Sequence, residues 1–160
     1  MSDAAVRHFR RLQLVCSGIL ASVAVYALFV AILPWQVQPV LPQGEPLLWG
    51  FAFLAAVNLV TIMPVYRVML AGPRRVFAVS HQSGRLLAAH LAAHVTAFAR
   101  LEAVALLGLV LYVLTGRRDW FAIFTAVAAL GMLVLWPKRA KVAALLGSPE
   151  QPPEPTAAPR

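Results

Sequence analysis

Residues 12–33 read LQLVCSGILASVAVYALFVAIL, from Leu12 to Leu33, without one charged side chain. A helix rises about 1.5 Å per residue, so this run covers about 33 Å, enough for a bilayer core of about 30 Å. Three further stretches read the same way: Leu47–Leu70, Val95–Thr115 and Trp120–Trp136. Each meets the lower limit of about 17 residues for a helical span. Only the third carries an acid in its interior, Glu102. The pattern predicts an all-α polytopic membrane protein, with four transmembrane helices arranged as two hairpins over residues 12–146.

Composition points the same way. Hydrophobic residues make up 61% of the chain and charged ones 12%, against about 45–50% and about 25% in soluble domains. The net charge of +8 comes from basic residues at the ends of the apolar runs, where headgroups lie. They form no stripe with interleaved aromatics, so a nucleic-acid partner is not expected. The bilayer is the expected partner, together with a protein partner or a second copy within the membrane.

Placement of the basic residues sets the expected orientation. Arg7, Arg10 and Arg11 precede the first span in a basic N-terminal segment, residues 1–11. Arg67, Arg74, Arg75, Arg85 and Arg100 surround the link between spans two and three, and Lys138, Arg139 and Lys141 follow span four. The loop from Gln36 to Pro46 has none, and the turn between spans three and four has Arg117 and Arg118 beside Asp119. By the positive-inside rule both termini are cytoplasmic. Trp35, Trp49, Trp120 and Trp136 fall at span ends, where indoles sit at headgroup level. Abundant alanine, leucine, arginine and proline suggest a GC-rich bacterial genome, hence a bacterial cytoplasmic membrane.

The N-terminal apolar run exceeds the roughly 7–15 residues of a signal-peptide core, so an uncleaved first span is expected. The single cysteine, Cys16, excludes an internal disulfide. Val15 precedes it where a lipobox needs a small residue, so it is not read as a lipidation site.

Residues 73–94 are too long for a simple turn. Ser83 can cap a helix starting near Gly84. Leu86, Leu87, Leu91 and Val95 then share one side, and Arg85, His90 and His94 another, as in an interfacial helix leading into span three. The tail 147–160 is rich in proline and reads as disordered. Span two ends Met63-Pro64 and reaches Gly72-Pro73, and span four ends Trp136-Pro137 and reaches Gly147-Ser148-Pro149. This echo fits two parallel hairpin repeats or, equally, two ordinary cytoplasmic helix ends. Small pairs at four-residue spacing (Gly18 with Ser22, Ala52 with Ala56, Ala99 with Ala103, Ala122 with Ala126) predict close helix packing.

Glu102 is the leading site candidate, because an intramembrane carboxylate is costly and needs a partner. Arg100 lies two positions away, on a different side of the helix, and is expected to snorkel to the surface. Asn58 and Thr61 in span two, or a second subunit, are the expected partners of Glu102. His90 and His94 share a helix face at i, i+4, which makes them weak metal candidates. They lack the glutamate of a zinc-protease helix, and Glu102 is rotated from His94 by about 80°. No metal and no cofactor is expected.

The run Arg100-Leu-Glu102-Ala-Val-Ala-Leu-Leu-Gly108-Leu-Val110 resembles the carboxylate helix of ATP-synthase proteolipid subunits, where a glutamate leads to a glycine and an apolar run. The resemblance implies a carboxylate used inside the membrane. It covers about eleven residues, and those subunits are shorter hairpins with both ends outside. The longer stretch through Leu114-Thr115-Gly116 resembles small bacterial four-span proteins of unassigned function.

No nucleophile–base pair, paired carboxylates or phosphate loop appears, so the chain is not expected to be an enzyme. An accessory, assembly or scaffolding subunit of a membrane complex is the leading expectation. The alternative is an oligomeric small transporter or channel using Glu102.

Overall fold

The computed structural model describes residues 3–32, 45–80 and 83–146, with side chains from Ala5 onward. Five helices and no strand occur among them: α1 (Asp3–Ile32), α2 (Glu45–Ser80), α3 (Ser83–Thr115), α4 (Arg118–Val134) and α5 (Arg139–Leu146). The first three are long and apolar enough to cross a membrane. A fourth crossing is available if α4 and α5, bent by 49° at the break between them, count as one. Trp35, most of the first loop and the tail 147–160 lie outside the described residues.

α3 is the axle of the bundle and packs against α1, α2 and α4. Its buried residues recur at heptad spacing: Leu87, His94, Leu101 and Gly108 form one row and His90, Ala97, Val104 and Leu111 the next. Sustained 3.5-residue spacing keeps one seam turned to neighbouring helices along the whole length. α2 differs. Its buried residues, Leu48, Ala55, Ile62 and Leu70, number about one for every two turns, and it packs extensively only on α3.

Close approach of α3 and α4 depends on glycine. A Cβ at Gly108 would sit 2.6 Å from Phe124 Cβ and 3.5 Å from Phe121 Cα. Ala105 and Ala128, both fully buried, continue the contact. The small pairs singled out in the sequence do not supply it. Gly18 faces open space, and Ala56, Ala99, Ala122 and Ala126 are exposed. Alanine spacing alone does not say which face turns inward; the bulky residues around it do.

Two expectations need correction at the α2–α3 junction. α2 does not stop near Gly72 but runs through both Pro64 and Pro73 to Ser80. Each proline removes one helical hydrogen bond, from the carbonyl four residues back, and the helix tolerates both losses. The helix expected from Ser83 does lead straight into the third span, as the first turns of α3, but its two histidines are not on a polar side. His90 and His94 lie on the same inward face as Leu86 and Leu87, all four buried. The hairpin echo fails for the same reason, since α4 ends before Pro137 whereas α2 continues through its prolines.

Each end of the bundle has its own small core. At one end Phe9, Leu87 and Val142 cluster, with Leu146 packed on them. Arg139 lies over the Phe9 ring at 5.4 Å, so α5 is seated against the start of α1. At the other end Val30, Tyr112 and Phe121 pack together, beside the turn capped by Gly116 at φ 72°. Left-handed backbone there favours glycine, and Gly116 N donates to Tyr112 O at 2.7 Å. Asp119 pairs with Arg117 at 2.6 Å on this exposed turn.

Candidate functional site

Glu102 sits half-buried on α3, facing α1. Ser22 Oγ lies 2.5 Å from Glu102 Oε1, and Tyr26 Oη donates to the same oxygen at 3.0 Å. Ser22 and Tyr26 are four residues apart on α1 and therefore share a face. Ser22 Oγ is also 2.7 Å from Ile19 O; its one hydrogen serves either the carbonyl or the carboxyl group at a time. The carboxyl group thus finds its partners inside the chain.

The residues grouped with Glu102 from the sequence separate. Arg100 Nη1 donates to Thr61 Oγ1 across the α2–α3 contact. Thr61 in turn donates to Val57 O at 2.6 Å. Asn58 Nδ2 donates to Leu54 O of its own helix at 3.0 Å. Neither Asn58 nor Thr61 is a partner of Glu102. Arg100 and Glu102, two positions apart, point to different neighbours as helical geometry requires: α2 for one, α1 for the other.

A second polar group gathers near α5. His8 of α1 and His90 and His94 of α3 are all buried. His8 Nε2 lies 3.3 Å from His90 Nδ1, and the His90 and His94 rings are 4.4 Å apart by centroid. Tyr66 of α2 approaches His94 Nδ1 at 3.2 Å, while the same nitrogen is 3.1 Å from His90 O. With the hydrogen on Nδ1, His94 donates to the His90 carbonyl; with Nδ1 unprotonated, it accepts from the Tyr66 hydroxyl. In the first tautomer the Tyr66 hydroxyl hydrogen is left to another acceptor. Among the described residues, no group of three or more His, Cys, Asp or Glu side chains has the geometry to hold a metal ion.

His90, His94 and Tyr66 line a cleft of about 1200 Å³ between α2, α3 and α5. Three cations line it too: Arg67 and Arg74 from α2, and Lys141 from α5. Arg67 and Arg74 stand on the α2 wall of this cleft and Lys141 on the α5 wall, with His90 and His94 lining it from α3. Among the described residues no carboxylate lines the cleft, and none of its three cations is in an ion pair.

No protein family, curated protein or solved structure matches this chain. Its own residues must therefore carry any functional reading.

As site residues, Ser22, Tyr26, His8 and Tyr66 are not singled out by sequence, which reads Ser22 only as a small packing residue. A signal existed for the first two: they are the hydroxyl pair at i, i+4 within an otherwise apolar run. His8 falls on the stripe it shares with Leu12 and Cys16, both fully buried, and reads as part of a basic surface segment only when its neighbours Arg7, Arg10 and Arg11 are weighed with it. Tyr66 gives no such signal, because a tyrosine near a span end is ordinary.

Proposed function

We propose that this chain is a four-span protein of a bacterial cytoplasmic membrane, with both termini on the cytoplasmic side. Its role is that of an accessory or scaffolding subunit in a larger membrane assembly, without a catalytic step of its own. The fourth crossing takes α4, about 26 Å long, together with the bent α5 that follows it at the cytoplasmic end.

One observation carries the choice of scaffold over transporter. The polar groups that would line a path are engaged separately, Glu102 with α1, Arg100 with Thr61, and Asn58 with its own backbone. A conduction path needs polar groups in series that can exchange partners with a passing ion. The outer face of α2 adds support: Phe53, Val60 and Val68 are 69–74% exposed, which leaves a long helix side for lipid or a neighbouring subunit.

The test is purification of the full chain in mild detergent. A second polypeptide should remain in fixed stoichiometry, and replacing Phe53, Val60 and Val68 together by alanine should release it. A homo-oligomer that conducts ions in liposomes, with conduction abolished by Glu102→Gln, would establish the transporter in its place.

A further inference from the structure

The α2 wall of the cleft is a stripe at alternating four- and three-residue steps: Met63, Arg67, Leu70, Arg74 and Phe77. This spacing keeps all five on one helix face. The two arginines are two turns apart, about 10 Å along the axis. Below them, toward the middle of the bundle, the walls are Ile62, Met63, Ala97 and Leu135. A basic band thus sits above an apolar floor within one continuous space. A soluble anion would use only the first part of it, and an apolar peptide only the second.

We propose that this cleft binds one anionic phospholipid of the cytoplasmic leaflet. Its phosphodiester is held by Arg67, Arg74 and Lys141, and its acyl chains run along the apolar end. Charge complementarity selects the headgroup: three cations meet there without a carboxylate, and basic pockets on the cytoplasmic side of helix bundles suit anionic lipid heads. The Tyr66 hydroxyl also lines the cleft and donates to a phosphate oxygen when His94 carries its hydrogen on Nδ1. The architecture admits the tails, because α2 packs extensively only on α3 and the side of the cleft toward α4 is not closed by a helix contact of that extent. The proposal rests on the membrane-spanning orientation above and is independent of the scaffolding role.

Full-length protein in mild detergent, titrated with phosphatidylglycerol and read by native mass spectrometry, tests it. Wild type should carry one bound phosphatidylglycerol and bind phosphatidylcholine far more weakly. Each cation near an anionic lipid is worth about fivefold in binding, so R67Q/R74Q/K141Q should weaken it on the order of a hundredfold. A control, R10Q/R11Q/R75Q, removes the same charge from exposed positions outside the cleft and should leave binding unchanged. Ala71→Trp fills the cleft without altering charge and should also abolish binding; it carries the test should the charge variant lose its helical circular-dichroism signal. Equal loss in the control, equal binding of phosphatidylcholine, displacement by millimolar inorganic phosphate, or a polypeptide in the cleft would each overturn the assignment. Failure of the scaffold reading would show differently, as absence of a co-purifying subunit with lipid binding intact.

Discussion

α2 and α3 have nearly the same length and apolarity, yet they occupy opposite positions in the bundle. In the most apolar 18-residue window of α3, 44% of residues are buried within the protein; in that of α2, only 11% are. Hydropathy is blind to this difference because both helices are surrounded by apolar matter, side chains for one and open surface for the other. What separates them is the width of the inward stripe. α3 presents small and large residues alternately on a broad face, whereas the buried residues of α2 form a single row, Leu48, Ala55, Ile62 and Leu70. Burial within the bundle therefore follows side-chain volume pattern, and the rest of a membrane helix is free to be simply apolar.

Truncations should expose the contrast most strongly. Phe98 of α3 is fully buried and Val60 of α2 is 73% exposed. Phe98→Ala should cost about 3–5 kcal/mol, while Val60→Ala should stay within about 0.5 kcal/mol. Reversible unfolding in mixed micelles measures both, and equal effects would mean that α2 is as deeply packed as α3.

Glycine substitutions come next. Gly108→Ala drives a methyl group against Phe124 and should cost about 1–3 kcal/mol. Gly72→Ala in α2 meets nothing within 4 Å and should stabilise slightly, since alanine is the better helix former by about 1 kcal/mol. Thermal melts of the two variants should move in opposite directions.

The smallest effect concerns polar groups. Glu102→Leu leaves the Ser22 and Tyr26 hydroxyls without their shared acceptor and should cost about 1–2 kcal/mol. Glu102→Gln retains an acceptor oxygen and should cost less. Asn58→Leu on α2 should be nearly neutral, because Asn58 bonds only its own backbone. A cost for Asn58→Leu matching that of Glu102→Leu would restore α2 as the partner of the carboxylate.

Much of the architecture was legible. Length and apolarity located the helices, because backbone groups in a bilayer leave helix as the economical solution for a single apolar run. The positions of Pro64 and Pro73 misled, since a proline weakens a helix locally while packing on α3 holds it together. The site was less legible. Glu102 stood out by its cost, but its partners did not, because hydrogen bonds between α1 and α3 join residues about 80 positions apart. No periodicity within one helix reports such a distance. His90 and His94 were placed on a polar side because neighbouring Arg85 was weighed with them; only the inward seam of α3 distinguishes the buried histidines from the exposed arginine.

The seat of α5 has a consequence for the order of synthesis. One wall of the basic cleft, with Lys141, is contributed by the helix that follows all the others in the chain, while the opposite wall, with Arg67 and Arg74, is made about 70 residues earlier. α5 is held by Phe9 and Leu87, so the last of the described helices closes onto the first. During translation the α2–α3 half of the cleft forms first, and only when Arg139–Leu146 has left the ribosome and docked does the space acquire its third side.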